Sequence, residues 1–465
     1  MTDSVVTYFA PMAWVNGIWA EDVLLGVATN GTWASIQANA SIDQRRGAIL
    51  LNGPVLPGLV NAHSHAFQRA IAGMTERTGG GEDNFWSWRD RMYSAAQRIT
   101  PQQLEAIAAL LYNELLQAGY TQVCEFHYLH NDLQGKPYAD PLEMSGALIR
   151  AALRAGIGIT LLPALYMCSG FAAAGLRDDQ QRFASTPDAI FRLRESIEKQ
   201  FGGGRVNTGL ALHSLRAVGE GALQEAVAYA EAAHMPIHIH VAEQTGEVAD
   251  CIATLGQRPV EWLLNNISLN TRWNLVHATH TTPAELHGIK TSGATVVLCP
   301  TTEANLGDGV FDLPTYCRMQ GNWSIGSDSH TTRSWQEELR LLEYSQRFSL
   351  RQRNVMAVAS GVQSTAAVLF NAALAGGSAA CGFGMAGLAA GNRADFLVID
   401  ATSNALLGVP RNHVLDAMVF SSPDARLSEV YVAGKLAIQP EGIDNPRSLA
   451  AGYCDAMHDL WAGIV

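Results

Sequence analysis

Two periods of apolar and polar residues alternate along this chain. Eight short apolar runs recur through its middle: LPGLVNAHSH (56–65), TQVCEFHYL (121–129), GIGITLLPALY (156–166), NTGLALHSL (207–215), PIHIHVAE (236–243), WNLVHATH (273–280), ATVVLCPTTE (294–303) and WSIGSDSH (323–330). Most are separated by Ala/Leu/Glu/Arg-rich stretches such as PQQLEAIAALLYNELLQAG and GALQEAVAYAEAAH. Short runs bounded by turn residues read as strands, and the longer periodic stretches as helices. Strand then helix, eight times, predicts an α/β chain built as a (β/α)8 TIM barrel. The two ends break this rhythm. WVNGIWA and DVLLGVATNGTWASI near the start, and ADFLVID and EVYVAGKLAI near the end, are β-like. The expected organisation is therefore a small composite β-sandwich built from both termini, 1–55 and 379–465, with the barrel at 56–378 between them.

The polar residues fall at the ends of the runs. Nearly every run begins apolar and finishes in His, Glu, Asp or Tyr. In such a barrel the C-terminal ends of the strands converge on one mouth. His63, His65, His213, Glu243, His277 and Asp328 are thus expected to meet in space despite their separation in sequence.

Composition narrows the function classes. Of 465 residues, 48% are hydrophobic and 16% charged, which calls for a large core. The formal net charge is −12 and no Lys/Arg-rich run occurs, which argues against nucleic acid or an anionic membrane as partner. No apolar run reaches the roughly 18 residues of a membrane span. The N-terminus carries an acidic residue and no basic region, unlike a signal peptide. Seven cysteines, an odd number with no CxxC pair, fit free thiols in a reducing cytoplasm.

The strand-end residues bring specific chemistry. His63 and His65 are two apart, so their side chains leave the same side of a strand and can chelate one cation. The fifth run supplies His240 and the eighth Asp328. Three imidazoles and a carboxylate suit one divalent ion, Zn²⁺ first and Fe²⁺ as its rival. An ion with an open coordination position lowers the pKa of a bound water toward neutrality. His238, one layer deeper on the same strand, reads as a packed histidine, and His280 and His330 lie just past their strand ends.

PGLVNAHSH, HVAEQ, LVHATH and GSDSH together resemble the amidohydrolase superfamily, and the terminal ADFLVID and VYVAGKLAI resemble its small β domain. Members with two metals usually bridge them with a carboxylated lysine or a mid-barrel carboxylate. The four lysines here, Lys136, Lys199, Lys290 and Lys435, end no barrel run, so a single-metal site is expected. The resemblance to the mononuclear deaminase branch implies proton transfer by Glu243. It implies that His277 orients the attacking water, and that Asp328 both binds the metal and accepts the water's proton. An acid beside the metal is needed because ammonia leaves poorly as an anion. Such enzymes often pair as homodimers, which the apolar composition permits.

Substrate residues follow from charge. Arg216, in ALHSLRAV, puts a guanidinium at the mouth of an acidic protein, which points to an anionic ligand held in a bidentate fork. Gln68 follows the HSH segment, Tyr128 ends the second run, and WSWRDRMY (86–93) carries Arg89 and Arg91 in what reads as an aromatic-rich loop. Periodicity does not separate those two arginines. The glycines of GGGED within the same 76–92 loop permit hinge motion. NAHSHAFQRA, FWSWRDRMY, ALHSLRAV, HIHVAEQ, CPTTEANLGDG and GSDSHTT are similar to the family of N-formimino-L-glutamate deiminases. That resemblance implies metal ligands His63, His65, His240 and Asp328, and acid/base roles for Glu243 and His277. It implies substrate contacts at Gln68, Arg89, Tyr128, His213 and Arg216. It also implies a small anionic amino-acid-derived substrate, met in histidine degradation, hydrolysed to N-formyl-L-glutamate and ammonia. Two other readings stand beside it: a deaminase of a neutral heterocycle such as guanine, cytosine or an aminotriazine, and a barrel kept only as a scaffold. A scaffold would be expected to have lost a ligand or the acid, and all six residues are present.

Overall fold

The structure is a computed structural model and describes residues 5–77, 83–421, 425–438 and 445–462. The three glycines of GGGED and the glutamate after them lie outside the described residues. The chain begins with β1 (Val6–Val15), β2 (Ile18–Val27), β3 (Trp33–Gln37), β4 (Ile49–Leu50) and β5 (Val55–Pro57). The barrel strands follow: β6 (Leu59–Ser64), β7 (Tyr120–His127), β8 (Gly158–Leu165), β9 (Val206–Thr208), β10 (Leu210–Ser214), β11 (Ile237–Val241), β12 (Trp273–His277), β13 (Thr295–Leu298) and β14 (Asn322–Ile325). The last strands are β15 (Phe396–Ile399), β16 (Leu427–Val432) and β17 (Lys435–Ile438).

Parallel pairing joins the barrel strands in the order β14-β13-β12-β11-β10-β8-β7-β6, with β9 against β8. Their side chains are buried almost without exception, as expected for strands covered on both faces. The seam between β14 and β6 lies at their C-terminal ends. Asp328 N–H donates to His63 O at 3.0 Å, and His65 N–H to Asp328 O at 3.2 Å. Beside them, Asn61 Nδ2 donates to Ser327 Oγ and accepts Ser327 N–H at its Oδ1. The seam can close because residue 326 is glycine. A Cβ there would stand 2.6 Å from His63 Cβ and 2.7 Å from His63 N.

The terminal strands form one eight-stranded sheet, β17-β16-β15-β5-β1-β2-β3 with β4 on β1. It folds around its own small core, where Phe396 stacks on Tyr431, meets Tyr8 edge-on and packs at a tilt against Trp33. A buried ion pair joins this sheet to the barrel. Arg393 binds Asp395 at 2.7 Å and reaches Gln122 Oε1 and Thr121 O at the start of β7, while Asp395 accepts Ala433 N–H. The segment after residue 379 contributes more than strands. The helices Val414–Phe420 and Asn445–Trp461 pack against barrel helices, and Tyr453 meets Arg69.

Two sequence expectations change. WSWRDRMY is not a loop but most of the helix Phe85–Ala96, opened by a capping box in which Asn84 and Ser87 satisfy each other's backbone N–H groups. CPTTE is not strand to its end: β13 stops at Leu298, and Pro300, well placed in a first helical turn, starts the helix Pro300–Leu306.

Candidate active site

At the C-terminal mouth, three imidazoles converge. His63 Nε2 lies 3.1 Å from His65 Nε2 and 3.0 Å from His240 Nε2. Asp328 Oδ1 completes the group at 3.5 Å from His63 Nε2 and 3.4 Å from His65 Nε2. All four residues are buried.

Hydrogen bonding tests whether this set fits a cation. His65 Nδ1 is 2.9 Å from Phe126 O and His240 Nδ1 is 2.9 Å from His213 O. A carbonyl oxygen only accepts, so both Nδ1 atoms carry the proton and both Nε2 atoms are bare lone pairs. Lone pairs so close repel unless a cation stands among them. Donors about 2.1 Å from a common divalent ion are roughly 3.0–3.4 Å apart, close to the separations seen. Burial and neighbouring imidazoles push His240 well below the ordinary histidine value, and burial brings His63 down to about 3, so these imidazoles are neutral, the form a cation requires. The donor set fits one divalent ion.

Glu243 and His277 stand beside it. His277 Nε2 is 3.5 Å from Glu243 Oε1 and 3.8 Å from Asp328 Oδ2, while its Nδ1 is 3.2 Å from Glu303 Oε1. Burial raises the Glu243 carboxyl to about 7, with the Asp328 charge acting in the same direction. Burial works against a charged His277, but Glu243, Glu303 and Asp328 outweigh it and hold the imidazolium to about 10. The backbone here is strained. Ala242, His277, Ala278 and Asp328 all have positive φ, between 44° and 67°. Such conformations cost roughly 1–3 kcal/mol each and persist only when the surroundings hold them. Glu247 does so for the first: its carboxylate accepts Ala242 N–H at 3.1 Å and Glu243 N–H at 3.0 Å.

The cavity above the imidazoles measures about 530 Å³, its open mouth included, and is lined by all five residues expected to touch substrate: Gln68, Arg89, Tyr128, His213 and Arg216. Gln68 Nε2 donates to Tyr128 Oη at 3.2 Å. Arg89 lies on the cavity side of its helix, whereas Arg91 turns away to Thr75 O and Asp83. The Arg89 and Arg216 guanidiniums share the Trp86 ring, at 4.5 Å and 5.6 Å from its centre. Burial and the Arg216 and Arg177 charges lower the Arg89 pKa. Burial also disfavours charge on Arg216, but the Glu247 and Glu243 carboxylates and the Tyr166 and Tyr93 hydroxyls together more than offset it and raise its pKa. Neither guanidinium forms an ion pair within 4.0 Å among the described residues. His238 is packed below the site, with Nε2 donating to Ala380 O, and His330 is buried between Ser64 and Ser327.

Several residues at the mouth were not singled out from sequence. Glu247 sits three residues past the helix N-cap Gln244, the position of an acidic capping residue, and that spacing was a usable signal. Glu303 arrives on the helix Pro300–Leu306. Tyr93 and Tyr166 line the cavity and meet Gln180, which belongs to the 3₁₀ helix Asp178–Phe183. Phe85, Trp88, Arg89, Met92 and Tyr93 all line it too, at spacings of three and four that mark one helix face.

Residues 55–437 match the model of the amidohydrolase family. The chain belongs to that family. Over 433 residues it is 43% identical to the formimidoylglutamate deiminase of Pseudomonas aeruginosa, covering 93% of this chain and 94% of that protein. The crystal structure of an amidohydrolase from Brucella melitensis superposes with a TM-score of 0.90 at 40% identity, covering 98% of this chain and all of the other. An adenosine deaminase from Xanthomonas campestris, solved with bound zinc, shares the fold at a TM-score of 0.80 and 23% identity, covering 98% of each chain. Among the described residues no helix is long and apolar enough to cross a membrane.

Proposed function

We propose that this chain hydrolyses N-formimino-L-glutamate to N-formyl-L-glutamate and ammonia. The observation that carries the reading is the pair Arg89 and Arg216, two guanidiniums facing one cavity with no carboxylate bound to either among the described residues. A substrate with two carboxylates supplies the missing partners, and guanidinium recognises carboxylate in a planar fork. The extent of similarity to the Pseudomonas deiminase supports the same substrate.

In this reading His63, His65, His240 and Asp328 hold one divalent ion, Zn²⁺ in preference to Fe²⁺. The ion, when bound, acidifies water for attack on the formimino carbon. Glu243, poised at about 7, takes one proton from that water and passes it to the departing nitrogen, Asp328 accepts the second as the new carbonyl forms, and the nitrogen leaves as ammonia. His277, kept charged between carboxylates, turns Nε2 toward the oxygen on which negative charge grows. Gln68, Tyr128 and His213 line the same cavity as the arginines and complete the substrate contacts in this reading. Seven unpaired cysteines fit work in a reducing compartment such as the cytoplasm.

Ammonia release from formimino-L-glutamate, guanine and cytosine, with metal quantified per chain, tests the reading. Turnover of the formimino acid alone is expected. Preference for a nucleobase would replace it with the heterocycle deaminase reading.

A further inference from the structure

Beyond the arginines, the cavity contains a hydrogen-bond network with one proton to spare. Tyr93 Oη and Tyr166 Oη are 3.3 Å apart, and Gln180 Nε2 stands 3.2 Å from the first and 3.1 Å from the second. The amide orientation is fixed, because Gln180 Oε1 accepts Arg177 N–H at 3.1 Å. Gln180 therefore donates to both hydroxyls. One hydroxyl donates to the other, and the second hydroxyl proton has no acceptor among the described residues. Both tyrosines line the cavity, and Gln180 is fully buried. A buried donor left without a partner is costly, so the site is built to receive an acceptor.

The surroundings say which acceptor. The Arg89 guanidinium lies 5.5 Å from the Tyr93 ring centre and makes no ion pair of its own among the described residues. Negative charge is favoured there. Position says which end of the substrate. His213 packs 5.2 Å from His240, and Tyr166 packs 4.3 Å from His213, so the hydroxyl pair is two ring contacts removed from the convergent imidazoles.

We propose that Tyr93 and Tyr166, fixed by Gln180, are specificity determinants that donate one hydrogen bond to the side-chain carboxylate of the formimino amino acid. This rests on the deiminase reading above. The pair selects substrates carrying a second anionic group remote from the formimino carbon, and leaves the chemistry to Glu243 and His277.

The test is steady-state ammonia release from N-formimino-L-glutamate and from N-formiminoglycine, which lacks the side-chain carboxylate. Variants are Tyr93→Phe, Tyr166→Phe, the double variant and Gln180→Glu, each checked for metal content and folding. Each single variant leaves one hydroxyl proton free, so small changes in KM are expected. The double variant removes both protons and should raise KM for formimino-L-glutamate by about ten- to a hundredfold with kcat little changed, the effect of one hydrogen bond to a charged group. Its kcat/KM for formiminoglycine should stay at the wild-type value. Gln180→Glu keeps both rings, draws in the spare proton and adds negative charge, so it should reproduce the selective loss. Equal losses on both substrates, or no loss in the folded double variant, would overturn the proposal while leaving the deiminase reading intact. A wild-type enzyme inactive on both formimino acids would remove both.

Discussion

Gly326→Ala tests the seam that brings the candidate ion ligands together. The new Cβ would lie 2.6 Å from His63 Cβ, 2.7 Å from His63 N and 2.8 Å from His63 O. Ordinary contact begins near about 3.5 Å, so β6 and the end of β14 must separate by roughly 0.7–0.9 Å. Two of these neighbours are backbone atoms, which no rotamer change can move. The cost in stability is that of overpacking, about 1–3 kcal/mol. The cost to the site is larger in proportion. The seam bonds from Asp328 N–H to His63 O and from His65 N–H to Asp328 O would lengthen from 3.0 Å and 3.2 Å, and metal–ligand distances tolerate only about ±0.2 Å. The expected outcome is a folded protein that loses its ion on dialysis against a weak chelator under conditions where wild type retains it. Urea denaturation and elemental analysis read the two effects. Gly221→Ala is the control: a Cβ there meets nothing within 4 Å, and the helix Glu220–Ala232 should gain slightly. If Gly326→Ala kept wild-type metal content and midpoint, the account of how the barrel seam positions His63 and Asp328 would be wrong.

Glu243→Gln should bind metal normally and lose about 10²–10⁴-fold in kcat, read by single-turnover ammonia release, because the amide can neither take nor return the proton. Arg216→Met should raise KM for formimino-L-glutamate by roughly two orders of magnitude with metal content unchanged, since one carboxylate loses its fork. Glu338 gives a pH dependence. Burial raises its carboxyl to about 8 although Thr301 N–H and Oγ–H donate to it, so the folded state prefers it protonated. Its stabilising contribution is complete below its unfolded value and fades as pH rises toward 8. Relative to Glu338→Gln, wild type should lose a few kcal/mol, ~1.4 per pH unit at most, in urea midpoints compared between pH 5 and pH 9. A pH-independent difference would contradict that assignment.

Much of the site could be read from order alone. His63 and His65 fall two apart on a strand, and His240 and Asp328 fall at or just beyond the ends of others. The period of two and the parallel barrel together require such residues to face one mouth. Arg89 was legible in identity but not in setting. Its aromatic-rich segment reads as a loop because the aromatic residues mask a helical face, and the local sign of the helix is the capping box at Asn84 and Ser87. With the helix recognised, Arg89 separates from Arg91 by periodicity, since Phe85, Arg89 and Met92 share a side.

The sequence by itself determined which chemistry could occur: a ligand set, an acid at the rim of the same strand as His240, and cationic residues at the mouth of an acidic chain. Local spacing and side-chain chemistry are enough for that, because each depends on neighbours along one strand or one helix turn. Only the tertiary structure decided which further groups stand around that candidate site. Glu303 reaches His277 from the helix after the next strand, 26 residues on. Gln180 joins Tyr93 to Tyr166 across 87 and 14 residues. No local period links such residues. Their meeting is fixed by how the loops and short helices pack over the closed barrel, and closure itself depends on one missing Cβ at Gly326.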